Sequence, residues 1–277
     1  MKPLVLKFGG ELLEDRAHLA TVASAVAAIA PKQPVVIVHG GGKEIDAALK
    51  NAGIEKRQID GLRITDAATL EIVVSVLAGA INTRFVAALG AAGVSAVGLT
   101  GADAKCGLSD PAPAHTAVDG RVVDLERVGI PCADTDPRLL ATLTRDGFVP
   151  VVACIGIGRD GQLFNVNADT LAGHLAARLG ARRLVIAGTT PGVLDANGAT
   201  LSSIDATAIG PLVSDGTATA GMIAKLRACE HALTGVDDVV IVDGRDRDAL
   251  VAAATSQAPA RATVIRGAMA LAERETR

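Results

Sequence analysis

The sequence predicts an α/β fold in which helices cover both faces of a mostly parallel sheet. First, apolar runs of strand length alternate with helical patterns along nearly all 277 residues. Second, hydrophobic residues make up 49% of the chain and aromatic residues only 1%, so the core must consist of Ala, Val, Leu and Ile. Such small aliphatic side chains suit buried parallel strands. Third, two apolar runs end at consecutive glycines, Gly9–Gly10 and Gly40–Gly42, and each leads into a helical pattern.

The N-terminal third of the chain alternates strands and helices. Asp15 stands at the N-cap position of a helical stretch, and Pro31 ends that stretch. A polar, charged connection over 53–65 follows the second helix. The predicted elements are a strand that begins at residue 4, a helix over 15–30, a strand over 35–38, helices over 43–52 and 66–91, and a strand over 95–99.

The predicted helix 66–91 is apolar on more than one side. Five apolar residues form one stripe and three lie on other faces; they are Leu70, Val73, Val74, Leu77 and Ile81, and Ile72, Val76 and Val86. A helix that is apolar on several sides is buried on several sides. This helix therefore either runs through the core or is covered by a second subunit.

After residue 100 the pattern leaves the α/β alternation once and then resumes it. Residues 104–133 alternate turn residues with short β-like pieces, which predicts an antiparallel excursion from the main sheet. Residues 156–161 match the dinucleotide pattern GxGxxG by letter, but the strand-like residues after them favour a hairpin. The remaining predicted elements are helix 136–146, strand 148–155, a helix from about 169 to 179, strand 183–187, helices near 205–213 and 219–234, strand 238–242, and a helix and strand within 247–265.

Charge and cysteine content exclude several classes of protein. The formal net charge is −3, from 27 Lys and Arg against 30 Asp and Glu, so we see no electrostatic reason to expect nucleic acid as a partner. The four cysteines are scattered without a CxxC pair, so we expect reduced thiols. We find no signal peptide and no apolar run of about 20 residues that would span a membrane. We therefore expect a soluble, cytoplasmic protein that binds no membrane.

Three common enzyme classes lack their central motif in this sequence. His39 and the three glycines after it resemble the oxyanion-hole run of esterases, but the chain has no GxSxG nucleophile elbow. The chain also has no GxxxxGK[ST] phosphate loop, and no acid lies about twenty residues after the GxGxxG letters to hold a ribose. Esterase, P-loop and dehydrogenase interpretations are therefore disfavoured.

The charged and polar residues that remain suit phosphoryl transfer. Glycine turns bring backbone amides close to a ligand, and a helix that starts after such a turn adds oriented N–H groups. Phosphoryl transfer needs mainly positioning and charge neutralisation, which Lys7 and Lys225 could supply with Asp169 holding both ammonium groups. Arg63 suits a carboxylate on the acceptor. Each of these residues alone would ordinarily be a surface side chain or a helix-start acid, so the hypothesis depends on their combination.

Nine runs of residues together resemble the amino acid kinase family, and most closely the branch that phosphorylates N-acetyl-L-glutamate in arginine biosynthesis. The likeness covers nearly the whole chain, and HGGG, GLR[IV]T and NVNAD in combination are far more specific than any one of them. The runs are KFGGELL (7–13), VIVHGGGKEID (36–46), GLRITD (61–66), LAGAINTRFVAAL (77–89), AVGLTGAD (96–103), GFVPVVACIG (147–156), GQLFNVNADTLAGHLA (161–176), PGVLD (191–195) and GMIAKL (221–226).

The resemblance implies a three-layer αβα sandwich, the amino acid kinase fold, with an acceptor-binding lobe over about 1–180 and an ATP-binding lobe over about 181–277 of one domain. It implies transfer of the ATP γ-phosphate to the side-chain carboxylate of N-acetyl-L-glutamate, with Mg²⁺ carried by the phosphates and no metal ligated by the protein. No general base is required, because the acceptor carboxylate is already ionised at pH 7. The implied roles are catalysis by Lys7, Lys225, Asp169, Gly10 and Gly41; acceptor binding by Gly41, Gly42, Arg63, Asn165 and Asn167; and nucleotide binding by Gly9, Gly10, Thr189, Thr190, Gly192, Val193, Leu194, Thr219 and Gly221.

Two departures from the family pattern concern ATP. Family members usually carry an aspartate just before the PGVLD run, where this chain has Gly188-Thr189-Thr190, and Asp or Gly beside Thr219. The missing acidic contact bears on nucleotide affinity more than on the chemistry. Arginine-inhibited members also carry an extra N-terminal helix that links dimers into hexamers, whereas this chain opens at its first strand. We therefore predict a homodimer, formed through helix 66–91 as in relatives, that arginine does not inhibit.

Two alternatives remain open at this point. A sister kinase of the same fold could act on another carboxylate or carbamate acceptor, such as a carrier-linked amino acid, but the composition shows no obvious basic patch for an acidic carrier. A weakly active regulatory relative would be expected to lose a charged catalytic position. Lys7, Asp169 and Lys225 are all present, so only the altered ATP turn favours that alternative.

Overall fold

The structure is a computed structural model that describes residues 1–195, 197–214, 220–256 and 259–267. Its strands are β1 Leu4–Phe8, β2 Val35–His39, β3 Gln58–Ile59, β4 Leu62–Arg63, β5 Ala96–Thr100, β6 Ser109–Pro111, β7 His115–Thr116, β8 Val122–Val123, β9 Val128–Pro131, β10 Val149–Ala153, β11 Ile155–Ile157, β12 Leu163–Val166, β13 Arg183–Gly188, β14 Ser203–Asp205, β15 Asp238–Asp243 and β16 Ala262–Arg266. Its helices are α1 Glu11–Glu14, α2 Arg16–Ile29, α3 Gly42–Asn51, α4 Ala67–Val74, α5 Asn82–Ala91, α6 Arg138–Arg145, α7 Ala168–Arg178, α8 Ile209–Ser214, α9 Ala220–Ala232 and α10 Arg247–Thr255, with a π-helical segment Ser75–Ile81 between α4 and α5 and 3-10 turns at Ala30–Lys32, Asp103–Lys105 and Ala206–Ala208.

The central sheet has eight strands in the order β14-β16-β15-β13-β1-β2-β10-β5. From β15 to β5 all neighbouring strands are parallel, whereas β16 pairs antiparallel with β15 and carries β14 parallel to itself. Every residue of β1, β2, β10 and β13 is buried, as expected for strands covered on both faces. The predicted mostly parallel sheet is confirmed.

Helices form a layer on each face of this sheet. In one layer α2 packs against both α5 and α10, and in the other α7 packs against α9 while it also contacts β1, β2 and β13. Asp15 is the N-cap of α2, because its carboxylate accepts hydrogen bonds from two backbone N–H groups of the first turn. The predicted αβα sandwich is confirmed.

The antiparallel excursion is also confirmed. A second sheet in the order β11-β12-β9-β6 and a small β7–β8 hairpin lie outside the main sheet. Strands β11 and β12 pair antiparallel, so the GxGxxG letters form a hairpin turn. Sequence analysis missed the β3–β4 hairpin inside the polar connection 53–65, because each of its strands has only two residues and no alternating apolar pattern.

Residues Ala67–Ala91 form one long helical stretch that the sequence analysis placed correctly. It is 25 residues long with a mean hydropathy of 1.9 in its most apolar window, so by length and composition it could cross a membrane. The statement that no apolar run reaches that length was therefore wrong. A core helix of a soluble protein passes the same test, and the inner side of this one contributes Val73, Leu77 and Ile81 to the core.

Candidate functional site

A cavity of about 300 Å³ lies beyond the carboxyl ends of the central strands, where ligands of parallel sheets bind. It gathers ten of the residues proposed from sequence, which are Lys7, Gly9, Gly10, Gly41, Gly42, Arg63, Asn165, Asn167, Asp169 and Lys225. Its other lining residues are Glu11, Gly40, Ile45, Gly61, Leu62, Leu77, Val128, Cys154 and Ala168. Residues that are far apart in the sequence, from position 7 to position 225, thus line the same cavity.

Two glycine turns form the floor of the cavity. Strands β1 and β2 are parallel neighbours, with Phe8 beside His39, so the turns after them leave the sheet side by side. A Cβ atom on Gly10 would lie 2.6 Å from the Cα of Gly41, which means that the two backbones touch. A Cβ on Gly41 would lie 2.1 Å from the Cδ1 of Ile81. Gly10 needs glycine because the space for a side chain is filled by backbone, whereas a side chain on Gly41 would require the end of the Ile81 side chain to move.

Lys7 and Asp169 form a buried ion pair. The fourth residue of β1 is Lys7, whose Nζ lies 2.9 Å from Oδ1 of Asp169, and both side chains are less than one-tenth exposed. Asp169 lies in the first turn of α7, and the side chain of Asn167 caps this helix by accepting from the N–H groups of Asp169 and Thr170. Burial alone would lower the pKa of Lys7, but the carboxylates of Asp169 and Glu11 outweigh it and the pKa is raised. Lys7 is therefore a fixed cation at neutral pH.

Lys225 reaches the same cavity from α9. Its Cε lies 3.9 Å from the point where a side chain on Gly188 would begin, and Oε1 of Glu11 lies 3.3 Å from the same point. Gly188 is the last residue of β13, the neighbour of β1 on the side away from β2. The second lysine and the carboxylate of Glu11 thus both lie beside the last residue of β13.

Arg63 and Asn165 also line the cavity. Nη2 of Arg63 donates to the carboxylate of Asp46, which also accepts from Lys56, and lies 3.4 Å from the carbonyl oxygen of Gly42. Nη1 of Arg63 is buried and has no hydrogen-bond partner among the described residues. A guanidinium with one free nitrogen is suited to bind a carboxylate.

His39 and Asn82 anchor the second glycine turn from below. Nδ2 of Asn82 donates to Nε2 of His39 at 3.0 Å and to the carbonyl oxygen of Val151 at 2.9 Å. With Nε2 as acceptor the ring proton lies on Nδ1, which is 3.3 Å from the carbonyl oxygen of Gly40. Burial lowers the pKa of His39 to about 4, so the ring is neutral at pH 7. His39 serves as a structural support here.

The residues proposed for the nucleotide lie mostly outside this cavity. Thr189, Thr190 and Gly192–Leu194 follow β13, and they are not among the residues that line the cavity, whereas Gly221 lies in α9. Thr219 lies outside the described residues. Gly192 has a φ of +119°, and the N–H of Val193 donates to Thr263 Oγ1 at 2.8 Å, so this turn is also held by local packing. The turn begins next to the cavity, because Gly188, directly before it, lies close to the cavity-lining side chains of Glu11 and Lys225.

Sequence analysis missed Glu11, Asp46 and Cys154 at this site. In the sequence, Glu11 and Asp46 look like ordinary polar residues near helix starts. Their position within five residues of a glycine turn could have indicated that they belong to the site. Cys154 follows β10, and burial raises the pKa of its thiol to about 12, so it lines the cavity as an uncharged group. No residue pattern pointed to it.

Comparison with known proteins adds independent information. The sequence model of the amino acid kinase family matches residues 2–243. The acetylglutamate kinase of Sphingopyxis alaskensis is 44% identical over 247 residues, which cover 87% of this chain and 82% of that protein. The acetylglutamate kinase of Novosphingobium aromaticivorans is 41% identical over 260 residues, covering 88% and 84%.

Solved structures share the fold at lower sequence identity. N-acetylglutamate synthase from Neisseria gonorrhoeae, complexed with coenzyme A and N-acetyl-glutamate, superposes with a TM-score of 0.81 at 24% identity; the match covers 96% of this chain and 59% of that one. Carbamate kinase from Giardia lamblia bound to citric acid gives a TM-score of 0.66 at 17% identity, covering 96% and 98%. Because the family match spans most of the sequence and curated relatives exceed 40% identity, this chain belongs to the amino acid kinase family.

Proposed function

We propose that this protein is an acetylglutamate kinase, which transfers the γ-phosphoryl group of ATP to the side-chain carboxylate of N-acetyl-L-glutamate in arginine biosynthesis. The observation that carries the proposal is that Lys7 and Lys225, from opposite ends of the chain, line one cavity together with both glycine turns. The curated relatives above 40% identity bear the same activity in their names.

The proposed chemistry is an in-line displacement. A carboxylate oxygen of the acceptor forms a bond to the γ-phosphorus, the bond from that phosphorus to the β–γ bridging oxygen breaks, and ADP leaves. Lys7 and Lys225 neutralise the charge on the transferring group, while the amides of Gly10 and Gly41 donate to its oxygens. Asp169 keeps Lys7 charged and oriented.

The acceptor is held on the side of the cavity that carries Arg63. The free Nη1 of Arg63 binds the α-carboxylate, which is the carboxylate that does not react. The backbone of Gly41 and Gly42 and the side chains of Asn165 and Asn167 complete this part of the site, since all of them line the same cavity.

The nucleotide binds on the side of β13. We assign to it Gly9, Gly10, Gly221 and the turn after β13, with Thr189, Thr190, Gly192, Val193 and Leu194; Thr219 belongs to the same proposal. Among the described residues no group of three or more His, Cys, Asp and Glu side chains could hold a metal, and the cavity offers the carboxylate of Glu11. Mg²⁺ is commonly bound by phosphates and one or two carboxylates, so these residues fit an ion carried by ATP, where it would neutralise the phosphates.

The remaining proposals concern organisation. We propose an acceptor lobe over about 1–180, an ATP lobe over about 181–277, a cytoplasmic location, and a homodimer formed through Ala67–Ala91. The half-buried apolar residues Ile72, Val74 and Val86 on that helix support the dimer, because a second subunit would cover them.

A hydroxylamine-trapping assay tests the activity. Purified protein with ATP and Mg²⁺ should form hydroxamate from N-acetyl-L-glutamate much faster than from unacetylated glutamate or from aspartate. Lys7→Ala and Lys225→Ala should each lower kcat by orders of magnitude, whereas Arg63→Ala should mainly raise the KM for the acceptor. Equal or faster turnover of glutamate would contradict the assignment, as would an Arg63→Ala enzyme with unchanged acceptor KM.

A further inference from the structure

We infer that Asp46 and Lys56 are positioning residues for the acceptor: they hold the guanidinium of Arg63 so that its Nη1 faces the carboxylate of the acceptor. This inference rests on the proposed function and adds to it two residues that touch no reacting atom.

A single carboxylate bridges two cations in this cluster. Asp46 lies in α3, one turn after Gly42, and its Oδ1 pairs with Nη2 of Arg63 on strand β4. Its Oδ2 accepts a hydrogen bond of 2.8 Å from Nζ of Lys56. Both oxygens of Asp46 are thus committed, one to each cation, and the side chain cannot rotate without breaking both ion pairs.

The cluster leaves a net positive charge for a ligand. Burial alone would raise the pKa of Asp46, but hydrogen bonds and charge from Lys56 and Arg63 outweigh it, so the pKa is lowered and the carboxylate is ionised at neutral pH. Two cations and one anion give the cluster a charge of +1. Asp46 therefore orients Arg63 without cancelling its attraction for an anion, because Lys56 compensates for the carboxylate.

The unpartnered nitrogen is the observation that points to a ligand. The Arg63 side chain is 13% exposed, and its Nη1 is buried with no hydrogen-bond partner among the described residues. Buried donors in folded proteins are almost always paired. Its other terminal nitrogen is occupied by Asp46 and approaches the carbonyl oxygen of Gly42, so of the two terminal nitrogens Nη1 is the one left for the acceptor.

Asp46 also connects two elements that the acceptor must touch at the same time. Helix α3 starts at the second glycine turn, and Arg63 lies on the β3–β4 hairpin, whose register is set by only two residue pairs. Such a short hairpin has little stability of its own. The ion pair from α3 therefore decides where the tip of the Arg63 side chain lies relative to the glycine amides.

The chain offers a matched control on the same hairpin. Arg57 pairs with Glu126 at 2.7 Å and with Asp66 at 3.1 Å, and none of these residues lines the cavity. The Arg57–Glu126 pair is about as exposed as the Lys56–Asp46 pair. Glu126 lies between β8 and β9, so Glu126→Gln removes a carboxylate that pairs with Arg57 beside the hairpin without altering Arg63.

The experiment is a set of steady-state measurements with N-acetyl-L-glutamate and MgATP. Asp46→Asn should raise the KM for the acceptor about tenfold, with the KM for ATP and kcat each changed less than about threefold. Asp46→Glu should restore part of the loss, Lys56→Met should raise the acceptor KM by about threefold, and Glu126→Gln should change nothing. In an Arg63→Ala background Asp46→Asn should have no further effect, because both act through the same nitrogen.

Several results would overturn the inference. One is an unchanged acceptor KM in Asp46→Asn; another is an equal loss in kcat for Asp46→Asn and Glu126→Gln, which would indicate a general structural role. Additive losses in the Arg63→Ala background would also contradict it. If Asp46→Asn fails to fold, Lys56→Met and Asp46→Glu serve as the test instead, and an unchanged acceptor KM in both would contradict the inference. An inactive wild type would instead refute the proposed function, whereas an active wild type with an unaffected Asp46→Asn refutes this inference alone.

Discussion

Replacing Asp169 by asparagine tests the central ion pair of the site. The Lys7 and Asp169 side chains are 7% and 9% exposed, with 2.9 Å between Nζ and Oδ1. Asparagine keeps the shape of the side chain and removes the charge, so the buried ammonium of Lys7 loses its counter-ion. Breaking a buried pair from one side costs about 3–5 kcal/mol. We expect Asp169→Asn to lose about this much free energy of unfolding at pH 7 and to lose kcat by orders of magnitude.

The pH dependence of this loss has a definite sign. In the wild type the pKa of Lys7 is raised, so the stability from the pair is fully present below the unfolded pKa of Lys7 and is lost only as pH rises through the folded pKa. In Asp169→Asn burial remains the largest effect on Lys7, so we expect its pKa to fall below the unfolded value. The unfolded state then binds more protons than the folded state, so the variant gains stability as pH rises. The difference from wild type should therefore be smaller at pH 9.5 than at pH 7.

A second buried ion pair provides the control. The Arg183 side chain is 3% exposed and donates two hydrogen bonds of 2.6 Å to the carboxylate of Asp238. Both residues begin their strands, at the end of the sheet away from the cavity. Arginine does not lose its proton in proteins. Asp238→Asn should therefore destabilise the fold by a similar amount, but with the same loss at pH 7 and at pH 9.5, and it should leave the acceptor and ATP KM values unchanged.

The assay is urea unfolding followed by far-UV circular dichroism, because the chain has no Trp and no Tyr for fluorescence. Midpoints of the three proteins are compared at both pH values, with the slope of the transition as a check. An Asp169→Asn loss below about 1 kcal/mol would refute the reasoning about the buried pair. A loss that stays constant between the two pH values would refute the assignment of the effect to the protonation of Lys7.

Three further predictions follow from close contacts and from the apolar helix. Gly10→Ala would put a Cβ 2.6 Å from the Cα of Gly41, so we expect kcat/KM to fall about a hundredfold and the unfolding midpoint to drop by the equivalent of about 1–3 kcal/mol; wild-type kinetics would contradict the contact between the turns. Gly98→Ala would put a Cβ 2.2 Å from Oδ1 of Asn82 and should cost about 1–3 kcal/mol in the same unfolding assay, whereas no change would show that the buried amide can move. Val74→Asp should convert a dimer into a monomer in light scattering coupled to gel filtration, with an unchanged circular dichroism spectrum; a variant that stays dimeric would place the interface elsewhere.

The local features of the chain could be predicted because they depend on neighbouring residues. Asp15 caps α2, as predicted, through hydrogen bonds that span only two or three residues. Asn167 caps α7 in the same local way, although the sequence analysis named it only for acceptor binding. The hairpin at Gly161 follows from a residue with positive φ between two short strands. The glycine turns after β1 and β2 were also visible in sequence, since glycines at a strand end act on their own backbone.

The composition of the candidate site was predicted in part, and mainly through the family resemblance. The chemistry of the residues suggested Lys7, Arg63, Asp169 and Lys225, the resemblance gave them roles, and all four line one cavity. The resemblance did not name Asp46, because a single carboxylate on a helix is most often solvated, and only the tertiary structure brings this one to Arg63.

The sequence by itself determined the α/β alternation, the helix caps, the two glycine turns and the family, because each of these depends on residues that are adjacent or on a pattern along the chain. Only the tertiary structure decided that Lys7 and Lys225 share a cavity, that Lys7 is paired with Asp169, and that Nη1 of Arg63 is left without a partner. The physical reason is that such contacts join residues up to about two hundred positions apart. The distances between these residues are set by the order of strands in the sheet and by helix packing, which the conformational preferences of neighbouring residues do not determine.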